Sequence, residues 1–473
     1  MMSHSLPRSL RRARPALLAL ALACAVPAAL ADGAFSRPDT DYQGRISLKS
    51  QLVTPGSTAE LAGEGFKPGQ RVTLLRGTTV LNPQAWVADG EGRFSASVAL
   101  PQDAAPGRHP LLVRVDSPDA AAVFTLKVSP DLPLQGASGF AVRDAHVVRG
   151  LYQSGYSAAS NALFVTSAVG RPPVTQSELV KLDPRTLKVQ ARATPAPAPA
   201  PPAAAGQPPR DGGVYAVYGV GVDDANGNVW VTNTRQDSIA VYRQSDLSLV
   251  KQFPVGTVSH ARDVLVDAQR GKAFVSATGG NHIAVFDAAT LQPAADIEIA
   301  SSLRGGQFTP MSLALDAEAG KLYTVSISSP EAAVIDVASG KVEKVIPLSN
   351  AESASGVAWD AGAKRLLVAS QGSDNLLIVD PASGRIEHDV AVGAAPLNIA
   401  VDPVSGLAYV SSRASGNLAV VDRSGTLVAN LDGGTFPNHV HADGKGSVFA
   451  VNKSQGENDP RGDRVTRIEK RAR

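Results

Sequence analysis

Apolar positions along this chain fall in short runs, many of them alternating or β-branched, divided by Gly, Pro, Asp and Asn. That spacing predicts strands joined by tight turns. A first group of runs, Arg45 to Val53, Arg71 to Leu75, Arg93 to Leu100, His109 to Val115 and Ala122 to Val128, predicts a small β-sandwich within residues 32–133. From residue 139 the runs repeat. An aromatic or large apolar residue, usually followed by Val, recurs at Phe164, Trp230, Phe274, Tyr323, Leu367, Tyr409 and Phe449, at intervals of 40 to 49 residues after a first interval of 66. The long interval holds a Pro/Ala-rich insertion at about 193–212. Without it seven blade-sized units remain, the mark of a seven-bladed β-propeller over residues 139–473.

Finer marks share the period. Asp223, Asp267, Asp316, Asp360 and Asp402 each close an apolar run, and Gly227, Gly271, Gly320 and Gly406 follow four residues later, as hairpin turns require. Twenty residues after the first acid comes a second, Asp287, Asp336, Asp380 and Asp422, matched by Asp183 in the first unit. Several of these open Asp-x-x-Ser/Thr, in which a carboxylate caps its own turn, so they read as turn chemistry rather than catalysis. Each unit thus predicts four antiparallel strands. Ala314, Ala358 and Ala400 stand two places before the first acid, where the innermost strands crowd the axis. The last unit has runs for only three strands, Asn438 to Ala442, Ser447 to Val451 and Arg464 to Ile468, leaving Gly139 to Val148 to supply the fourth and close the ring.

Composition supports an all-β fold: aromatic residues are 5% and charged residues 19%, against 43 Gly and 33 Pro. The N-terminus adds a destination. Arg8, Arg11, Arg12 and Arg14, the apolar stretch Ala16 to Ala29 and the sequence Ala29-Leu30-Ala31 predict a secretory signal over residues 1–31 and hence a periplasmic or more distant location. The apolar stretch is shorter than the roughly 20 residues of a bilayer-spanning helix, so no transmembrane segment is expected. Competing export readings are lipoprotein anchoring through Cys24 in Ala21-Leu22-Ala23-Cys24 and twin-arginine export through Arg11-Arg12. Cys24 is the sole cysteine, which leaves the mature chain without disulfide or thiolate ligand. Loss of the signal turns a net charge of +2 into 41 basic against 43 acidic residues, a balance unlike that of a polyanion-coating protein, although Arg461 to Arg473 is locally basic.

The core of the unit, Trp230-Val231-Thr232-Asn233, with Phe164-Val165-Thr166-Ser167 and Tyr409-Val410-Ser411-Ser412, resembles the YVTN β-propeller repeat. The stretch Gly150 to Ser157, the string Leu182-Asp183-Pro184-Arg185-Thr186-Leu187, and Phe436-Pro437-Asn438 followed by Asp443-Gly444-Lys445-Gly446 resemble YncE-like periplasmic seven-bladed propellers. Farther upstream, Gly63-Glu64-Gly65-Phe66-Lys67-Pro68-Gly69 and Asp89-Gly90-Glu91-Gly92-Arg93-Phe94 resemble bacterial immunoglobulin-like modules, which act as spacers or adhesive units. The resemblance implies a periplasmic binding or surveillance protein, with single-stranded DNA as a suspected ligand and an envelope protein or small ligand as the other partner. The immunoglobulin-like front and the Pro/Ala insertion set this chain apart from simple members of that family.

Propellers bind ligands at one mouth of the central channel, where the inter-blade loops and the loops between second and third strands gather. Those loops predict a ligand site of His260, Arg262, Asn398, Asn438 and His439, joined by Arg235 and Arg413, with His282 and Lys453 on the same face. His439 and His441 alternate on one strand; with a third ligand from another blade, such as His260, they would make a metal site, and without one they read as polar residues hydrogen-bonded near the axis. No Gly-x-Ser-x-Gly elbow, His-Glu-x-x-His or phosphate-cradling Gly-rich loop occurs, so a non-enzymatic binding protein without cofactor is expected. A lactonase-like hydrolase using a channel His or Arg is one alternative. A single-stranded-DNA binder is the other, with Arg171, Arg235, Arg262, Arg413 and Arg461 supplying charge but Trp230 and Trp359 at strand-core positions expected to be buried.

Overall fold

The computed structural model describes residues 41–116, 119–200 and 211–472; the signal segment with Cys24 and the arginine pair, and the centre of the Pro/Ala insertion, lie outside the described residues. Seven antiparallel four-stranded sheets follow one another from residue 140 to the C-terminus. In each the chain starts at the innermost strand and works outward, and successive innermost strands pack side by side around one axis. The innermost strands are Leu151–Ser157, Val220–Asp223, Ala261–Asp267, Pro310–Asp316, Ala354–Asp360, Pro396–Asp402 and Pro437–Ala442, and they define blades 1 to 7. Blade 7 takes its outermost strand, Phe140–His146, from the start of the ring: Phe140 pairs with Lys470 and His146 with Arg464. The fourth strand expected from the missing run is therefore present, and the first and last segments of the ring are stitched by one ladder.

The repeat has a stereochemical basis. The landmark residue of the second strand lies opposite a small innermost residue in five blades: Phe164 faces Gly155, Trp230 Gly221, Tyr323 Ala314, Leu367 Ala358 and Tyr409 Ala400. Blades converge here, and a Cβ on Gly221 would lie 2.7 Å from the Val264 carbonyl oxygen of the next blade. Blades 3 and 7 depart from the rule, with Leu265 and His441 at the small position. Innermost strands open with a register shift, which frees a backbone N–H. The Thr or Ser two residues past the landmark accepts it: Thr166 Oγ1 from Gln153 at 3.2 Å, Thr232 Oγ1 from Gly219 at 2.7 Å, Ser276 Oγ from Asp263 at 3.0 Å. The next residue holds the loop entering the blade, as when Asn233 Nδ2 donates to the Tyr215 and Ala216 carbonyls and Ser412 Oγ to that of Val392. The aromatic-Val-Thr-Asn string is thus a core wedge followed by two clamps.

Turn chemistry follows the expected acids. Thr186 and Thr290 donate backbone N–H groups to Asp183 and Asp287 at 2.7 Å, and Gly227, Gly271, Gly320 and Gly406 are left-handed, with φ between 63° and 68°. Asn161 and Lys364 hold the same conformation in the two blades where the sequence shows no glycine.

Ahead of the ring lie two antiparallel sheets, one of Arg45–Leu48, Thr58–Glu64 and Phe94–Ala99, the other built on Arg71–Arg76, Gly107–Asp116 and Ala120–Val128. Thr58–Glu64 is absent from the predicted runs because two of its inward residues are small: Ala59 and Leu61 are buried, and the Phe94 ring fills the space where Gly63 would carry a Cβ. Phe94 also meets Trp86 of the other sheet, with ring centroids 5.4 Å apart. These sheets and the ring belong to one compact unit, residues 44–473. They join at blade 5, where Lys127 Nζ lies 2.6 Å from the buried Asp374 carboxylate and Arg108 pairs with Glu352. A second tie is on blade 6, where Asn430 Nδ2 donates to the Leu132 carbonyl at 2.9 Å. Among the described residues no helix is long and apolar enough to cross a membrane.

Candidate functional site

Because strands alternate in direction, the loops entering the blades and the loops joining second to third strands share one face. The first residues of the innermost strands accordingly form rings around one mouth. At the third position, aligned on the small one, blade 4 has Ser312, and blades 1, 3, 6 and 7 have the longer polar Gln153, Asp263, Asn398 and His439. Each of the longer ones accepts a backbone N–H from the next blade round. Gln153 Oε1 accepts from Val220 at 3.0 Å, Asp263 Oδ2 from Leu313 at 3.0 Å, Asn398 Oδ1 from Val440 at 2.9 Å and His439 Nδ1 from Ser154 at 3.3 Å. The last bond crosses the seam between blades 7 and 1.

Two of the predicted ligand residues, Asn398 and His439, are thereby engaged in joining blades. His439 can accept only as the neutral ring. Burial, with His441 and Arg262 nearby, holds its pKa well below the ordinary value. Burial likewise brings His441 down to about 4, against a weak opposing pull from Asp443. The two imidazoles stack at 6.5 Å between centroids, and among the described residues no three His, Cys, Asp or Glu side chains gather as a metal site. His260 stands apart at the entry to blade 3, left-handed at φ 48°, with its backbone N–H on Asp237 Oδ1 at 2.7 Å.

One residue nearer the mouth the pattern changes. Tyr152, Tyr218, Arg262 and Asn438 occupy the second position of blades 1, 2, 3 and 7, whereas blades 4 to 6 carry Met311, Ser355 and Leu397. Tyr152 is the hub. Lys453 Nζ lies 4.3 Å and the Arg262 guanidinium 5.8 Å from its ring centre, and Tyr218 meets it edge-on at 4.7 Å. Asn438 Nδ2 donates to the Tyr152 carbonyl at 2.7 Å and its Oδ1 accepts from Arg413 Nη1 at 2.6 Å, while Arg413 covers the Phe436 ring at 4.8 Å. Arg235 approaches the Tyr218 hydroxyl.

Charge at this mouth is unbalanced. Among the described residues Arg235, Arg262, Arg413 and Lys453 make no ion pair with a carboxylate, and Arg262 Nη1 is buried without a hydrogen-bond partner. A nearby acid, Asp463, has an oxygen accepting from the Gly150 and Ser454 N–H groups at 2.7 and 3.1 Å. Burial first, then Arg413, Arg235 and Arg262 against the opposing Asp463, push the Lys453 ammonium down to about 8. Burial lowers Arg413 as well, and burial together with Arg235 lowers His260.

Below the rings a cavity of about 370 Å³ runs between the innermost strands, and the Ser154 hydroxyl beside it is buried without a partner. No protein-family model and no curated protein matches the chain. Solved structures do. A hydrazine synthase from Kuenenia stuttgartiensis aligns at 17% identity and TM-score 0.54 over 69% of this chain and 97% of its own. Virginiamycin B lyase from Staphylococcus aureus aligns at 12% and 0.53 over 70% and 99%, and the protein U3-55K at 10% and 0.53 over 70% and 99%. The fold is a β-propeller. At such identities the likeness extends to architecture alone.

The propeller brings Arg235, Arg262, Arg413, Asn438 and Lys453 to one mouth, and leaves His282 on blade 3 facing Asp296 at 3.8 Å. Arg461 is paired with Asp432 at 2.6 Å. Trp230 is fully buried as expected, but Trp359 is only half-buried: it stacks on Tyr323 at 5.0 Å and borders the channel. Tyr152 and Tyr218 escape a reading based on loops. Superposing the innermost strands on Gly155, Gly221 and Leu265 would have placed both in register with Arg262.

Proposed function

We propose that this chain is an exported, non-enzymatic binding propeller of the cell envelope that captures a small anionic ligand at the Tyr152 mouth. The observation that carries the reading is the group of four cations without carboxylate partners, one with an unsatisfied buried N–H. Like charges brought together at partial burial repel, and a half-buried guanidinium N–H without an acceptor is costly; an anion relieves both. The YVTN-like clamps and YncE-like strings fit a binding role, with the two front sheets as an immunoglobulin-like spacer docked on blades 5 and 6.

Single-stranded DNA is the second reading, favoured by aromatic rings among the cations. Against it, Tyr152 and Phe436 are already covered by Lys453 and Arg413. Isothermal titration of the mature protein with oxalate, succinate and oligothymidylates of increasing length separates the two. A small-anion site saturates with one equivalent of dicarboxylate and is lost in the double variant Arg262→Ala/Arg413→Ala. A DNA site gains affinity with oligomer length and loses orders of magnitude between low and moderate salt. Binding of neither probe would refute the proposed site.

A further inference from the structure

Lys453 is unlike the other cations of the mouth. It is the residue just after the second strand of blade 7, its backbone N–H tied to the Phe436 carbonyl at 3.1 Å, and Arg413 holds the equivalent place in blade 6 with its N–H on Ala395. The side chain is therefore delivered to the mouth by a fixed element of the repeat. Its Nζ sits over the Tyr152 ring and has one weak protein acceptor, the Ala168 carbonyl at 3.3 Å. Among the described residues no carboxylate pairs with it, and the Arg262 guanidinium, with its unsatisfied Nη1, leans over the same ring. An amine and an anion-binding fork thus share one aromatic floor.

We infer that Lys453 is a nucleophilic amine that condenses reversibly with a small 2-oxo acid, the carboxylate held by Arg262 and Arg413. This rests on the anion-binding reading above and deepens it. A lysine crowded by cations and removed from water sheds its proton readily, the usual route to an imine-forming lysine. The neutral amine attacks the carbonyl carbon and a C–N bond forms. The carbonyl oxygen then leaves as water with the two amine hydrogens, giving a C=N bond with no oxidant or reductant consumed. A carboxylate on the adjacent carbon suits the site because the guanidinium fork takes it bidentately while the carbonyl stays within reach of the amine.

The test is reductive trapping. Mature protein is incubated with glyoxylate or pyruvate and with acetone as an uncharged carbonyl, reduced with cyanoborohydride, and mapped by peptide mass spectrometry. Titration calorimetry with oxalate, which has no ketone or aldehyde carbon, runs beside it. The expected result is a reduced adduct concentrated on Lys453 with the oxo acids and at least tenfold less with acetone. Lys453→Arg, which keeps the charge, should lose the adduct while unfolding at the wild-type midpoint. Arg262→Ala should slow trapping severalfold. Oxalate binding with adducts spread evenly over surface lysines would overturn the covalent step and leave the anion site standing. Equal labelling of Lys453 by acetone would overturn the role of the carboxylate, and no oxalate binding would overturn the anion site itself.

Discussion

His441 stands where three other blades carry Ala314, Ala358 and Ala400, opposite the buried Phe449. An imidazole there is tolerated only while neutral, so acid should unfold the ring through this residue. The folded ring titrates at about 4, against an ordinary value near 6.5 in the unfolded chain. For a base whose folded pKa is depressed, the contribution is complete above the unfolded value and is lost as pH falls through 6.5 toward 4. At pH 7 the difference between states is about 0.2 kcal/mol; at pH 5 the unfolded ring is nearly all protonated and the folded ring mostly neutral, costing about 2 kcal/mol. The perturbation is His441→Ala, matching the sister blades. Urea unfolding of wild type and variant at pH 7 and pH 5 gives four free energies, and any fixed cost of the smaller side chain cancels within each protein. His439 titrates in the same direction but remains in both. The wild type should lose about 2 kcal/mol more than the variant between the two pH values. Equal losses would show that the channel hydrates His441 well enough to erase the effect.

Other outcomes follow from single contacts. Asn398→Ala removes the acceptor of the Val440 N–H and should cost about 1–3 kcal/mol in urea unfolding; a change near zero would mean that water replaces this tie between blades. Lys364→Gly relieves an exposed left-handed residue, φ 55°, and should raise stability by about 0.5–1 kcal/mol, read as a higher urea midpoint. Lys127→Ala leaves the Asp374 carboxylate buried without its cation, so limited proteolysis should cut faster in the segment 129–139 while the ring stays intact. Anion affinity should fall severalfold from pH 7 to pH 9 as Lys453, at about 8, loses its proton; a flat profile in calorimetry would remove it from the binding set.

Much of the fold was open to sequence reading because each blade solves the same packing problem with the same residue types. A wedge such as Trp230 needs a small partner such as Gly221, and the register shift needs a hydroxyl such as Thr166, so the constraints recur at a visible period. The closing strand Phe140–His146 was legible as a deficit in the last unit. The site was legible only as a set of loops. Whether a residue at the head of an innermost strand faces the mouth or the next blade depends on the register shift, which displaces the alternation and has no mark of its own in the sequence. Asn398 and Arg262 are equally polar, yet one holds Val440 and the other leans on Tyr152. The Lys127–Asp374 contact joins regions with no shared repeat, so no period announces it.

The rings also show why such a scaffold can carry an unbalanced charge. Third-position side chains spend their hydrogen-bonding capacity on the next blade, Gln153 on Val220 and His439 on Ser154, and hold the innermost strands together. At the second position Asn438 and Ser355 share that duty, donating to the Tyr152 carbonyl and to the Pro396 and Leu397 carbonyls of the next blade, whereas Tyr152, Tyr218 and Arg262 turn their side chains to the mouth. Blades 4 to 6 place Met311, Ser355 and Leu397 there with the same backbone path that carries Tyr152 and Arg262 elsewhere. Repulsion among the cations therefore acts on side chains at the rim rather than on the ties that close the ring, and the residues that choose the ligand are separable from those that hold the fold. Exchange at the second position of blades 1 to 3 should alter what binds, and exchange at the third position of blades 1, 3, 6 and 7 should alter whether the ring stands.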